Sequence, residues 1–248
     1  MERFFCLELL LGKAKLERLQ RSFVVVIGIG AVGSYAVEAL ARSGVGHLRL
    51  VDFDAIKRTN FNRHILATEP NLGKLKVEAA KERIALINSR CKVEALTGFA
   101  AAETIGDLLA GGPDLVIDAV DSLNPKAQIL EACYVNKVPV IASMGAALRT
   151  DIASIKAGDL FKTSGCPLAR ELRSKLRRKG IEKGIFCVYS PAPVSQGSFR
   201  PPLPNTEEDY DRGRKRRKMG SMPTVTGAFG LTLAHHAIRY LTGDPLLP

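Results

Sequence analysis

The sequence predicts an α/β fold, an open sheet with helices on both faces whose N-terminal half is parallel and whose second half is mixed or antiparallel. Three observations predict it. Short apolar, β-branched runs alternate with amphipathic helical stretches from residue 23 to residue 142, as consecutive βαβ units do. The first unit, FVVVIGIGAVGSYAVEALARSGVGHLRLVDFD at 23–54, turns on closely spaced glycines. Beyond residue 142 the alternation stops, and two more strand-like runs, 152–156 and 186–189, flank a basic helical stretch.

In the first unit, residues 23–27 form a continuous apolar run, as expected of a parallel strand buried on both faces. Gly28, Gly30 and Gly33 follow directly. Glycines at this spacing permit a tight turn, bring backbone N–H groups close to a phosphate and let the next helix lie near the strand. Residues 34–43 supply that helix and Gly44 ends it. Residues 47–52 return as a second strand ending on Asp52, about where a carboxylate reaches ribose hydroxyls. A glycine turn framed by strand, helix, strand and terminal acid reads as a Rossmann-like nucleotide site.

The remaining elements follow in order. Residues 1–22 carry Leu7, Leu10, Leu11, Leu16 and Leu19 at helical spacing, broken by Gly12, so two short helices are expected to cover a sheet edge or contact a partner subunit. Residues 54–73 form a polar connection containing TNFNRH, long enough to be functional or disordered. A helix at 75–88 follows, with Val77, Ala80, Ile84 and Ile87 along one side. Lys76 lies in its first turn, an exposed helix start where a cation opposes the helix dipole, which makes sense if an anion is bound there too. Strands are expected at 93–96, 114–120 and 138–142, and helices at 102–109 and 126–136. Asp52, Asp118 and Asp121 all lie at the carboxyl ends of strands, where open parallel sheets bind ligands. After a basic helix at 168–179, residues 195–220 read as a mobile loop rich in Pro, Gly and charge, and 226–242 as an apolar helix containing His235 and His236. The two histidines are adjacent and face different directions, so neither is assigned to catalysis.

One unit accounts for residues 1–248: N-terminal helices at 1–22, a nucleotide-binding half at 23–145 and a basic substrate-binding half at 146–248. The formal net charge is +11, and two runs carry all of it. Residues 168–183 hold seven Lys or Arg and two Glu, residues 212–218 hold six Lys or Arg and no acid, and 13 − 2 = 11. Cations concentrated in this way suit a polyanion such as a nucleic acid. No apolar run approaches the roughly 20 residues that span a bilayer, and the N-terminus lacks the order of a signal peptide, so no membrane and a cytoplasmic location are expected. The five cysteines are widely spaced with no CxxC pair, which argues against a disulfide scaffold and a cysteine zinc site.

A nicotinamide-dependent oxidoreductase would use the glycines and Asp52 but gives no role to the polar connection, Lys76 or Asp121. Activation of a carboxylate by ATP uses them all. The acid must attack the α-phosphate in line while cations screen the triphosphate, a task for Arg63 and Lys76. An aspartate at a strand end would hold Mg²⁺ against the phosphates.

GIGAVGS, VDFD, TNFNR, GKLK and IDAVDS, in this order, resemble the successive ATP-site motifs of the ubiquitin-activating-enzyme superfamily, whose members adenylate carboxylates. The similarity runs from RFFCLELLLG to HHAIRYLTG, and PLARELRSKLRRKGI and PTVTGAFGL are most similar to one branch, the tRNA threonylcarbamoyladenosine dehydratases. That resemblance implies ATP cradled by Gly28, Gly30, Ala31 and Gly33, with Asp52 on the ribose and Asp54 nearby. It implies Asn60 and Arg63 on phosphates, Lys76 neutralising the transition state, Asp121 on magnesium and Ser122 beside it. Catalysis falls to Lys76, Arg63 and Asp121. Arg170, Arg173, Arg177 and Arg178 are the candidate contacts to tRNA phosphates. The resemblance further implies a homodimer and no zinc or NAD, and it leaves open a structural monovalent cation and a sulfur-transfer or cysteine desulfurase partner. The chain departs from the pattern at Cys6, where relatives carry an arginine that reaches the partner's ATP, at His64, where they often carry Gln, and at Cys166, where this branch commonly has an acid. Arg3 is the candidate replacement for that arginine. Cys187 follows an apolar run and reads as a buried structural thiol, not a thioester nucleophile.

Three other functions compete. The adenylated substrate could be the C-terminal glycine of a ubiquitin-like sulfur carrier, the chain could reduce or oxidise with NAD, or it could be a non-catalytic nucleotide-sensing or RNA-binding module. The basic second half favours tRNA.

Overall fold

A computed structural model of the protein describes residues 2–194, 199–200 and 218–246 of its 248. After a 3-10 turn at Glu2–Phe4 come α1 (Phe5–Leu11) and α2 (Lys13–Arg21), separated by Gly12. The first half continues with β1 (Phe23–Ile27), α3 (Gly33–Arg42), β2 (His47–Val51), α4 (Lys76–Ile87), β3 (Lys92–Leu96), α5 (Ile105–Leu109), β4 (Leu115–Asp118), α6 (Leu123–Val135) and β5 (Val140–Ser143). The second half holds β6 (Lys156–Asp159), α7 (Pro167–Arg177), β7 (Phe186–Tyr189), the short strands β8 (Phe199–Arg200) and β9 (Lys218–Met219), and α8 (Pro223–Leu241).

Seven strands form one sheet in the order β3-β2-β1-β4-β5-β7-β6. Every pair is parallel except β6 with β7, which is antiparallel and closes one edge; β8 and β9 make a separate antiparallel pair. The mixed second half is thus a single reversed edge strand beside a parallel core. Alternate strand residues point into two apolar layers. Val24, Val26, Leu48, Leu50 and Ile117 meet Ala36 and Leu40 of α3, Val77 and Ile84 of α4, and Phe229 and Leu233 of α8. Val25, Ile27, Val116 and Ala142 meet Leu108 of α5, Ile129 of α6, and Leu172 and Leu176 of α7. Strands β1, β4 and β5 are buried on both faces, the reason they read as unbroken apolar runs.

Several boundaries differ from the sequence expectation, each for a local reason. The strand expected at 152–156 lies at Lys156–Asp159, because Asp151 accepts the Ala153 N–H and the Ser154 hydroxyl and holds 152–155 in a turn. The helix expected from 102 starts only at Ile105, since the Thr104 hydroxyl takes the Ala101 N–H and donates to the Phe99 carbonyl. α6 and α8 start earlier than expected, each with a proline in its first turn, where no N–H is required. The connection at 54–73 is ordered, with 3-10 turns at Arg58–Asn60 and Glu69–Asn71 and a bridge between Ala55 and Leu75. Of the expected loop at 195–220 and the basic run at 212–218, nearly all lies outside the described residues.

At the N-terminus, Leu16 and Leu19 of α2 are buried while α1 turns Phe5, Leu9 and Leu10 outward, 57 %, 71 % and 78 % exposed. Arg3 donates to the Ile87 carbonyl at the end of α4. Helix α8 lies so close to α3 that a Cβ at Gly230 would stand 2.3 Å from the Val32 carbonyl oxygen.

Candidate nucleotide site

The carboxyl ends of β1 and β4 are adjacent, and sheet order reverses there, which opens the crevice where such sheets bind ligands. The loop after β1 carries Gly28, Gly30, Ala31 and Gly33 into it. Gly33 is required by contact: a Cβ there would lie 1.9 Å from the Gly28 carbonyl oxygen. Helix α3 starts at this point, so its first N–H groups face the crevice. In its first turn the Ser34 hydroxyl is buried and has no hydrogen-bond partner among the described residues. A helix N-terminus with such a hydroxyl in its first turn fits an anionic group such as a phosphate.

Asp52 follows β2 and accepts two backbone N–H groups, from Ile29 at 2.7 Å and from Asp54 at 2.8 Å. Burial pushes its carboxyl above the ordinary value, opposed by Lys76 and these two bonds. The sequence expectation for Lys76 needs correction. It stands at the start of α4, but it is 7 % exposed, and its Nζ lies 2.6 Å from Asp54 Oδ2 and 3.8 Å from Asp52 Oδ1. The anion beside the helix start is, in this state, a pair of carboxylates.

Asn60 Oδ1 accepts the Lys57 N–H and so closes the first 3-10 turn of the connection. Arg63 is half-buried and donates to the Thr59 carbonyl at 2.6 Å and to Asn62 Oδ1 at 2.9 Å, while Asn62 reaches the Ser221 carbonyl ahead of α8. Asp121, in the turn after β4, is exposed, and the Ser122 hydroxyl donates to its Oδ1 at 3.3 Å. A carboxylate, a hydroxyl and room for phosphate oxygens and water is the donor set that Mg²⁺ takes. Asp118, in contrast, is fully buried against Lys126, Nζ to Oδ2 2.6 Å, and burial pushes its carboxyl upward.

Sequence reasoning gave no role to two polar side chains that shape the site. Lys126 also donates to the Asp118 carbonyl and so ties α6 to the end of β4 ahead of Asp121. His64 is buried and bonds the Ile29 carbonyl at 2.6 Å. A polar residue followed by the apolar run ILA was the available signal for His64, and a lysine one turn into an apolar helix was that for Lys126.

In the second half, Arg170, Arg173 and Arg177 recur along one side of α7, and Ala169, Leu172 and Leu176 bury another. Arg170, Arg177 and Arg178 are exposed, but Arg173 is half-buried and donates to the Thr163 hydroxyl, which corrects its reading as an outward phosphate contact. Arg177 lies over the Phe161 ring at 5.8 Å. Cys187 is buried, and burial pushes its thiol far up, as befits an inert packing group. His235 is exposed and His236 lies 4.8 Å from the Phe186 ring, facing the sheet.

A doubly wound sheet with a glycine loop, a lysine held at the strand ends and an acid across the crevice defines a nucleotide-binding α/β protein whose site is built for a charged phosphate chain. The chain belongs to the ThiF family, whose model matches residues 5–247. It is 39 % identical over 244 residues to the tRNA threonylcarbamoyladenosine dehydratase of Bacillus subtilis, covering 96 % of this chain and 93 % of that one. The enzyme of the same name from Escherichia coli is 35 % identical, over 96 % and 92 % of the two chains. The crystal structure of E. coli tRNA N6-threonylcarbamoyladenosine dehydratase, TcdA, in complex with ATP superposes with a TM-score of 0.86 at 33 % identity, covering 97 % of this chain and 93 % of that one.

Proposed function

We propose that this protein is an ATP-dependent, carboxylate-adenylating enzyme that cyclises the threonylcarbamoyl group on the tRNA adenosine beside the anticodon. The threonyl carboxylate becomes an acyl-adenylate with release of pyrophosphate, and the neighbouring carbamoyl group then closes a ring and expels AMP, for a net loss of water. The observation that carries this reading is the nearly buried Lys76 beside the glycine loop, a cation with no use in hydride transfer. The likeness to dehydratases over almost the whole chain supports the tRNA substrate over a sulfur-carrier protein.

In this reading Gly28, Gly30, Ala31, Gly33 and the N-terminus of α3 hold the phosphates, Asp52 and Asp54 line the ribose side, and Asn60 and Arg63 approach the triphosphate from the opposite loop. Lys76 exchanges Asp54 for phosphate oxygens and offsets the charge that develops on the α-phosphate. Asp121, with Ser122 beside it, would hold Mg²⁺, which supplies charge neutralisation of the phosphates when bound. Arg170, Arg177 and Arg178 take tRNA phosphates, with Arg173 set behind them. The outward apolar face of α1 supports a homodimer, with Arg3 the candidate for any cross-subunit contact. Among the described residues no helix is long and apolar enough to cross a membrane, and a cytoplasmic place is the natural one for tRNA chemistry.

The test is incubation of the purified chain with Mg-ATP and threonylcarbamoylated tRNA, followed by mass spectrometry of the nucleosides. A nucleoside lighter by one water, with AMP released, is the expected product. Micromolar NAD binding without Mg-ATP binding would end the adenylation reading, and AMP release only with a carrier protein's C-terminal glycine would replace the substrate.

A further inference from the structure

His64 follows Arg63 directly, yet the two side chains serve different partners: Arg63 is half-buried on the Thr59 carbonyl and Asn62, and His64 is only 4 % exposed and turned to Ile29. Its imidazole is held on both nitrogens. Nδ1 accepts the Leu66 N–H at 3.1 Å, which leaves the ring proton on Nε2, and Nε2 donates to the Ile29 carbonyl at 2.6 Å. Burial keeps the ring neutral, so this tautomer persists at neutral pH.

Ile29 sits between Gly28 and Gly30, and Asp52 holds it from the other side by accepting its N–H at 2.7 Å. Two successive peptide planes of the glycine loop are therefore fixed, the Gly28–Ile29 plane by Asp52 and the Ile29–Gly30 plane by His64. In a trans peptide the C=O and the following N–H point in opposite directions. A donor that draws the Ile29 carbonyl inward turns the Gly30 N–H outward, and among the described residues that N–H makes no hydrogen bond.

We propose that His64 is a positioning residue of the nucleotide site: its Nε2–H fixes the Ile29–Gly30 peptide so that the Gly30 N–H faces the phosphates of the bound nucleotide. This rests on the ATP reading above. His64 touches no substrate, and it links the loop bearing Arg63 to the glycine loop, so the two phosphate-binding segments are set by one side chain. An imidazole fills this place by shape and by a single donor, both of which a glutamine amide can also supply.

The experiment compares the full-length protein with His64→Gln, which keeps a donor of similar reach, and His64→Leu, which keeps volume and removes the donor. Calorimetry with Mg-ATP and with adenosine, which has no phosphates, separates phosphate alignment from a general loosening of the site. The expected result is ATP affinity within about threefold of the parent for His64→Gln and weaker by about tenfold or more for His64→Leu, the scale of one lost buried hydrogen bond. Adenosine affinity should stay unchanged in both. Undiminished ATP binding by His64→Leu, or equal loss of ATP and adenosine, overturns the inference. If His64→Leu does not fold, His64→Asn, polar but too short to reach Ile29, decides by the same two ligands. Should the parent itself bind adenosine but not Mg-ATP, the ATP reading fails, and the inference with it.

Discussion

Lys76 Nζ stands 2.6 Å from Asp54 Oδ2 within a nearly closed site, so the cation assigned to catalysis is also half of a structural ion pair. Replacing Lys76 by Ala is expected to lower turnover by about a hundredfold or more, the scale of removing one preorganised charge from a transition state. It should also leave Asp52 and Asp54 without their cation and destabilise the fold by on the order of 3 kcal/mol. Urea unfolding beside single-turnover kinetics checks both effects. Unchanged turnover would remove Lys76 from the site, and unchanged stability would mean that water replaces the ion pair without loss.

Asp118 and Lys126 are the most deeply placed charges described, both wholly out of solvent. Lys126→Met is expected to cost about 3 to 5 kcal/mol because Asp118 is then buried alone, whereas Lys126→Met with Asp118→Leu should recover most of that loss. The pair of midpoints in denaturant decides it. A double variant no better than the single one would show that the bond from Lys126 to the Asp118 carbonyl, not charge pairing, is what matters.

His64 has an ordinary value of 6.5, and burial brings it down to about 4, with Lys76 and Arg63 adding to the effect and the bond to Ile29 opposing it. Between pH 4 and 6.5 the unfolded chain therefore binds a proton that the folded chain refuses. Its contribution to stability is complete above pH 6.5 and is lost as the pH falls toward 4, by roughly 3 kcal/mol in all. His64→Gln should flatten this limb of the stability profile relative to the parent. An identical acid slope in the two proteins would assign the titration elsewhere.

Arg170, Arg177 and Arg178 of the α7 region are exposed and are the proposed contacts to tRNA phosphates. Their joint replacement by Ala is expected to flatten the log–log dependence of tRNA affinity on salt by about two to three units, from 0.7 to 0.9 per phosphate, with ATP affinity unaltered. Adding Arg173→Ala should change stability more than the slope, since its donor serves Thr163. An unaltered slope in the triple variant would make α7 an ordinary solvated face and favour a protein carrier as the substrate.

The double-sided apolar runs of β1 and β7 are legible residue for residue, because burial on both faces leaves no polar position to blur their ends. The glycine turn and the acid after β2 are legible for a similar reason: few residues satisfy that geometry. What escapes the sequence is set by single side-chain hydrogen bonds. Asp151 moves a strand by four residues, and Thr104 shortens a helix. Lys76 looks like a surface lysine in one dimension, since the acids that bury it stand 22 and 24 positions earlier. His64 is visible as a departure from the family pattern, but its partner Ile29 lies 35 residues away and offers only a main-chain atom.

The close seat of α8 on α3, with Gly230 against Val32, also orders events during synthesis. The glycine loop is translated about 200 residues before the helix that backs it, since 230 − 33 = 197. At about 5–20 residues per second, some 10–40 s pass in which the rear of α3 faces solvent or a chaperone. The nascent chain thus carries its glycine motif early but acquires a rigid one only at the end, so that a ribosome stalled before residue 223 holds a protein with every candidate nucleotide-site residue and no firm floor beneath them.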